Sequence, residues 1–333
     1  MKESAPPRTI IELSAVLAAV DDGRPRVLCA RSAGRWSLPY GPFDPDRHRT
    51  FEIGLHDWVE RQTRVSLGYV EQLYTFGDKG REAPAAAVAG AAIGDRIISV
   101  GYLALASELA HVESADAAWL DWYGFFPWED WRSGEPPILS REILPALKQW
   151  ADGAIDRPVA ESRRARIRLV LGINELGWEE ERALDRYELL YEAGLVAESA
   201  RDRAPVGSPD ASARRPPRLG IDMASDHRRI LATAIGRLRG KLKYRPVIFE
   251  LTPRTFTLLD LQRAVEAIVG FELHKQNFRR SVEQSGLVEA TRTVQQTGGR
   301  PAALFRANRA ALHDRAGKGV TIPRLRRRPE FSL

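Results

Sequence analysis

Between residues 275 and 284 the chain reads KQNFRRSVEQ, and Lys275, Gln276, Asn277, Arg279, Arg280 and Gln284 all carry long hydrogen-bond donors. Phe278 and Val282, four apart, supply one apolar stripe. The segment therefore reads as a helix anchored on that stripe, with its donors turned outward. Guanidinium, ammonium and amide groups on one exposed helix suit phosphates and the guanine and adenine edges of a DNA major groove. Such a helix works only if a scaffold presents it.

The flanking sequence predicts one. Upstream, Thr257 is placed to cap a helix in which Leu258, Leu261, Val265 and Ile268 recur at three- and four-residue steps, and Gly270 to end it. Downstream of Gly286, LVEATRTV and AALFRAN have strand character. QQTGGRP joins them, with Gly298 and Gly299 available for a tight reversal. Arg292 falls on this hairpin and Arg300 near its tip, where they complete the expected DNA-binding set. Helix, turn, helix and basic hairpin are the parts of a winged helix-turn-helix, so double-stranded DNA is the expected partner. A small helical domain with a solvated basic face is the plainer alternative.

Charge is segregated along the chain. Residues 226–333 hold 22 Lys and Arg against 9 Asp and Glu, leaving 28 against 35 for the remainder. One end is suited to an anionic partner and the other is ordinary. The closing IPRLRRRPEF reads as a flexible basic tail. A length of 333 residues allows two domains with full cores, at 44% hydrophobic and 28% charged content. No window approaches a membrane span and MKESAPPRTI lacks a signal-peptide core, so a cytoplasmic location without a membrane partner is expected. The lone Cys29 lies in the apolar run RVLCA and reads as a core residue. The histidines are scattered without ligand spacing, so no metal site is expected.

Nearer the N-terminus, TIIELSAVLAAV and RVLCA flank DDGRP, the pattern of a hairpin. A helix is marked by Leu55, Trp58, Val59 and Gln62, and a strand buried on both faces by ISVGYLALA (98–106). Together they describe an α/β or α+β layered domain. The segment from Trp119 to Trp131 is dense in aromatics and could stack bases, but its acids Asp121, Glu129 and Asp130 favour a core or interface. Two amphipathic helical patterns occupy 161–198. Residues 199–220, rich in Pro, Ser and Arg, read as a linker. DHRRILATAIGRLRGKLKY (226–244) reads as a helix capped by Asp226 that opens the last domain. Its basic outer face either touches DNA backbone or is simply solvated.

The stretch RWSLPYGPFDPDRHRTFEIGLHDWVERQTRVSLGYVEQLYTFGD resembles a Nudix box. In a working box, two glutamates at the end of the helix hold divalent metal, which polarises a pyrophosphate and generates a nucleophilic water. Here those positions fall on Arg61 and Gln62, the box arginine on Asp57, the following glutamate on Trp58 and the turn glycine on Arg64. Glu60 is one register off, and the glycine pair of the preceding loop is reduced to Gly41 after Tyr40. The outline is present without the chemistry, so no catalytic residue is expected.

A degenerate Nudix domain ahead of a basic winged helix resembles the Nudix-related transcriptional regulators of NAD metabolism, in the longer form that represses de novo NAD biosynthesis. The motifs carrying the likeness are QLYTFGD, ISVGYLALA, LDRYELLYEAGLV, RLRGKLKYRPVIFELTPRTFTLLDLQRAVEAIVG, HKQNFRR and GGRPA, together spanning about residues 8–315. The implied fold is an α/β (α+β) multidomain chain. A Nudix-like α/β/α sandwich (1–155) is followed by a helical connector and linker (156–222) and a winged helix-turn-helix with basic tail (223–333). The implied function is repression, with operator affinity set by an NAD-related metabolite or adenine nucleotide (NAD, ADP-ribose or ATP) and no required cofactor. A homodimer is expected from the symmetry of operators. Arg31, Arg35, Trp36, Tyr40, Arg61, Arg64 and Asp78 are the effector-pocket candidates. The rival readings are a nucleotide pyrophosphatase with unorthodox metal ligands and a ligand-independent architectural DNA-binding protein.

Overall fold

Alternation along the first strand sets the architecture. In β1 (Thr9–Asp21), Leu13, Ala15 and Leu17 pack to one side and Ser14, Val16 and Ala18 lie to the other, all buried, so both faces of its sheet need cover. A computed structural model describes residues 8–32, 34–78, 80–81, 95–112, 114–174, 176–203, 219–296 and 301–314. Asp22 and Gly23, both at positive φ, turn the chain into β2 (Arg24–Ser32), the hairpin expected of DDGRP. Strands β3 (Arg35–Ser37), β4 (Tyr40–Pro42), β5 (Tyr69–Phe76), β6 (Arg96–Ala106) and β7 (Ala117–Asp121) complete one mixed sheet. Its order is β3-β2-β1-β6-β5, with β4 also on β1 and β7 on β2. β1 and β6 run parallel from Thr9 opposite Arg96 to Ala19 opposite Ala106, and form its buried centre.

One face is covered by α1 (Phe51–Thr63), which starts a turn earlier than the sequence pattern marks because Thr50 caps it, accepting from Ile53 N–H at 3.2 Å. Leu55 and Val59 enter the core against Leu13, Val100 and Tyr102. The chain then builds α2 (Leu144–Asp152), α3 (Arg157–Leu171), α4 (Ala183–Glu192) and α5 (Ala197–Arg203). The sequence marks a linker from residue 199, yet Ser199 is buried within α5 and the neighbouring Glu198 pairs with the buried Arg228. Residues 204–218 of that linker lie outside the described residues, as does the basic tail.

The other face is covered by α6 (His227–Tyr244), which the sequence places at the head of the DNA-binding domain. Ile230 lies so close over Gly101 of β6 that a Cβ there would come within 2.9 Å of it, and Ile235, Leu238 and Leu242 join the main core. Five of the six Arg and Lys side chains of α6 are used internally, and the sixth, Arg237, is exposed. Arg228 pairs with Glu198, Arg229 with Asp78 and Glu188, Arg239 with Glu129, Lys241 with Glu71, and Lys243 with Glu180 and Glu181. Part of the charge segregation in sequence is therefore pairing in space. Asp226 makes no capping hydrogen bond and pairs instead with Arg81 and Arg229.

The aromatic segment belongs to the core. Trp122, Phe125, Phe126, Trp128 and Trp131 are all buried, with Trp131 packed on Trp178 at 4.7 Å between ring centres, so none presents a face to a base. Cys29 is buried as well, and burial pushes its thiol far above the usual range, leaving it inert.

The C-terminal unit follows the expected order: α7 (Leu258–Val269), α8 (Lys275–Ser285), β8 (Val288–Gln295), β9 (Ala302–Ala307) and a final α9 (Arg309–Asp314). Thr257 and Asp260 cap α7 reciprocally: Thr257 Oγ1 accepts from Asp260 N–H at 3.1 Å and Asp260 Oδ2 from Thr257 N–H at 2.9 Å. Phe256 exchanges two backbone hydrogen bonds with Phe305, tying the lead into α7 to the hairpin. Phe278 and Val282 are buried, as their spacing predicts.

Candidate effector and nucleic-acid sites

The Nudix-box helix is wired to the loop before it by side chains that are not metal ligands. Gln62 donates from Nε2 to Tyr40 O at 2.6 Å and accepts at Oε1 from Tyr40 N–H at 3.0 Å. Trp58 Nε1 donates to Pro42 O at 2.8 Å, and its ring lies flat against Gly41, leaving no room for a Cβ. Asp57 is held by Arg61 at 2.9 Å and by His48 Nε2 at 3.1 Å. His48 Nδ1 accepts from Asp44 N–H, so Nε2 is the nitrogen left to donate. Arg64 ends the helix at φ 60°, keeping the left-handed turn for which the box ordinarily has glycine.

A magnesium site requires clustered, outward-aimed carboxylates. Here the two positions hold a cation and an amide, and Asp57 is already bonded to Arg61 and His48. Among the described residues no group of three or more His, Cys, Asp and Glu could hold a metal. The residues present do not fit the ion that a Nudix hydrolase uses.

Three effector candidates lie together on the β2–β3 ladder and on β4, whose Tyr40 side chain reaches Ser32 of β2. The Arg31 guanidinium stacks on Trp36 at 3.8 Å from the ring centre. Tyr40 OH and Ser32 Oγ are 2.9 Å apart, and the Tyr40 ring meets His227 of α6 edge-on at 4.8 Å. Burial pushes the Tyr40 phenol above its usual value and the Glu12 carboxylate adds to this, while the Ser32 hydrogen bond opposes it. Arg35 sits beside Asp222 at 3.6 Å, both about half exposed. Arg61 is exposed above Trp58 at 5.6 Å, and Arg64 is exposed at the end of the helix. Asp78 pairs with Arg229 at 2.5 Å on the N-terminal turn of α6, a contact with the fold and not with the ladder.

Sequence reasoning passed over His227, Glu12 and Asp222. His227 Nδ1 accepts from Leu38 N–H at 3.1 Å, across 189 residues, and Glu12 lies buried beneath it with its carboxylate 3.7 Å from Nε2. A buried Glu within a strand of aliphatics was the one available signal.

The winged-helix face is simpler. Lys275, Gln276, Asn277, Arg279 and Arg280 are all exposed on α8, opposite Phe278 and Val282, and Arg292 is exposed on β8. Among the described residues no carboxylate lies within 4.0 Å of Lys275, Arg280 or Arg292, and Arg279 has only a loose 3.7 Å approach to Glu283. Unlike the paired cations of α6, these remain available to an external anion. Arg300 lies outside the described residues.

Comparison with known proteins agrees with both halves. Residues 248–307 match the family described as the NrtR DNA-binding winged helix domain. The chain is 42% identical over 88 residues, 26% of its length, to the ADPR responsive transcriptional repressor NtrR of Acinetobacter baylyi; the match spans 35% of that relative. In fold it is similar to NrtR of Shewanella oneidensis, solved with a 27mer DNA (TM-score 0.54, 20% identity, 94% of this chain and 99% of that one) and without it (TM-score 0.52, 20% identity, 91% and 95%). The chain thus has the fold of the NrtR structures, and its residues 248–307 match the NrtR DNA-binding winged helix.

Proposed function

We propose that this chain is an operator-binding repressor whose DNA affinity is set by an NAD-related nucleotide, held by a Nudix-like domain that does not hydrolyse it. The observation carrying the reading is the contrast between two sets of cations. Five of the six on α6 are consumed by internal ion pairs, while Lys275, Arg279, Arg280 and Arg292 stand exposed on a helix and hairpin that match a DNA-binding family. In this reading α8 enters the major groove, with Gln276, Asn277 and one arginine at base edges, and Arg292 and Arg300 meet phosphate.

ADP-ribose is the first candidate effector, because the repressor with the matching segment is ADPR responsive; NAD and ATP are its competitors. Arg31, Arg35, Trp36 and Tyr40 would hold it, with Arg61 and Arg64 offering charge to its phosphates in place of a metal. Control of NAD biosynthesis, a homodimer on a two-fold operator and a cytoplasmic location belong to the same proposal. Selection of duplexes from a random library by the full chain, with and without ADP-ribose, tests it. A palindromic consensus whose recovery depends on ADP-ribose is expected. Recovery of unrelated duplexes, equal in both arms, would overturn it.

A further inference from the structure

The last turn of α7 and its cap are bonded to the body of the protein at three points. Tyr123 OH donates to Ala267 O at 2.8 Å, Arg239 Nε to Ile268 O at 2.9 Å, and Trp131 N–H to Gly270 O at 2.7 Å. Helix C-terminal carbonyls ordinarily lack partners and carry partial negative charge. Here they receive an arginine, a phenol and an amide from outside the winged helix. Gly270, at φ 85°, admits this approach, since a Cβ there would stand 2.5 Å from Glu129 O.

The arginine is itself part of a fully buried charge cluster. Glu129 receives Arg186 at 2.5 and 2.9 Å and Arg239 at 2.5 Å, and all three side chains are 0% exposed. Their other donors go mostly to main-chain carbonyls, Arg186 to Val170 and Glu179, and Arg239 to Glu180 as well as Ile268, while Arg239 Nη2 also donates to Tyr123 OH at 3.4 Å. The cluster therefore bonds together the end of α3, α4, α6 and α7. A buried triad of this kind is weak as a stabiliser, since apolar side chains of equal volume do as well, but it tolerates only one arrangement of its elements.

The other end of α6 lies at the candidate effector ladder. His227 accepts from Leu38 N–H, and Ala224 N–H donates to Trp36 O at 2.8 Å. Twelve residues of helix, His227 to Arg239, about 18 Å, separate that end from the Arg239 bond to α7.

We infer that the Glu129–Arg186–Arg239 cluster, with Tyr123, is a joint that fixes the orientation of the winged helix on the Nudix-like body. Arg239 and Tyr123 are thus positioning residues for DNA binding without being DNA contacts. The coupling role rests on the repressor reading above; the joint itself does not.

The test uses the full chain with Ser66→Cys and Ala290→Cys carrying spin labels, Cys29 being buried. The parental distance distribution should be single and narrow. Arg239→Met, which leaves Glu129 neutralised by Arg186, should broaden or shift it, and the milder Tyr123→Phe should do so to a smaller degree. On a selected duplex both variants should lose about fivefold or more in affinity. Their slope of log affinity against log salt should stay parental, because no phosphate contact is removed. Parental distance distributions in both variants would overturn the joint, and so would affinity losses accompanied by a shallower salt slope. A parent that binds no duplex would defeat the repressor reading while the distance measurement still decides the joint.

Discussion

Gln62 grips the backbone of Tyr40 at both of its polar atoms, donating to the carbonyl at 2.6 Å and accepting from the N–H at 3.0 Å. A glutamate at this position would lose the donor. The amide, at the position that the Nudix-box reading assigns to a metal carboxylate, thus locks the loop onto the helix.

It follows that Gln62→Glu should not restore an enzyme. The variant should be less stable by about 1–3 kcal/mol, since Tyr40 O loses its donor and faces a carboxylate. It should release no AMP from ADP-ribose with magnesium or manganese. Urea unfolding and product chromatography check the two halves. Metal-dependent turnover in the parent, abolished by changes within the Nudix-like domain, would contradict the claim of inertness.

Gly41→Ala should destabilise through overpacking, by about 1–3 kcal/mol, because its Cβ would fall 2.1 Å from Trp58 Cδ2. Trp58→Ala in the same chain should recover part of that loss. A double-mutant cycle measures the recovery, and additive losses would show that the ring and the glycine are not in contact.

The buried cluster gives a pH dependence. Burial alone would raise the Glu129 carboxyl, but Arg186 and Arg239 outweigh it and hold it below the usual glutamate range. A folded value below the unfolded one means the contribution is complete above the ordinary value of about 4.3 and is lost as the pH falls through the folded value. Glu129→Gln should be less stable at neutral pH by about 3–5 kcal/mol, and should lose less than the parent on acidification below that point. Denaturant unfolding across the acid range reads both effects; parallel acid limbs would assign the ion pairs no part in acid stability.

Much of this was legible in the sequence, for identifiable reasons. The winged helix could be read because α7 and α8 are short, amphipathic and bounded by Thr257, Gly270 and Gly286, signals that act locally. The box could be read as degenerate because its chemistry depends on residue type at fixed spacing. The place of α6 could not. Its apolar stripe says that something covers it, and only the fold says that this is the sheet of the N-terminal domain, with Ile230 on Gly101. Its basic face misled for the same reason, because the partners of Arg239 and Lys241 lie 110 and 170 residues away. Asp78 likewise met Arg229, a partner no local pattern could indicate.

Arg279 and Arg280 should differ in kind, since neighbouring positions on a helix lie about 100° apart. Alanine at the one that reads a guanine should cost about 1–3 kcal/mol on a selected duplex and relax preference at one position. Alanine at the other, and at Arg292, should weaken all sequences alike and reduce the salt slope by about one per contact. Titrations of selected and scrambled duplexes at several salt concentrations separate the two. Parental affinity and slope in all three variants would remove α8 and β8 from the DNA interface.

The most direct measurement is fluorescence anisotropy of a labelled selected duplex, bound by the full chain and titrated with ADP-ribose, with NAD and ATP as controls. The account predicts a saturable shift in DNA affinity, with the same chemical amount of intact ADP-ribose present at the end. It further predicts that Arg35→Ala or Arg61→Ala weakens the response about tenfold, the loss of one charge-assisted contact, while DNA affinity without ligand is kept. DNA affinity indifferent to all three nucleotides, or a response unchanged in both variants, would contradict it.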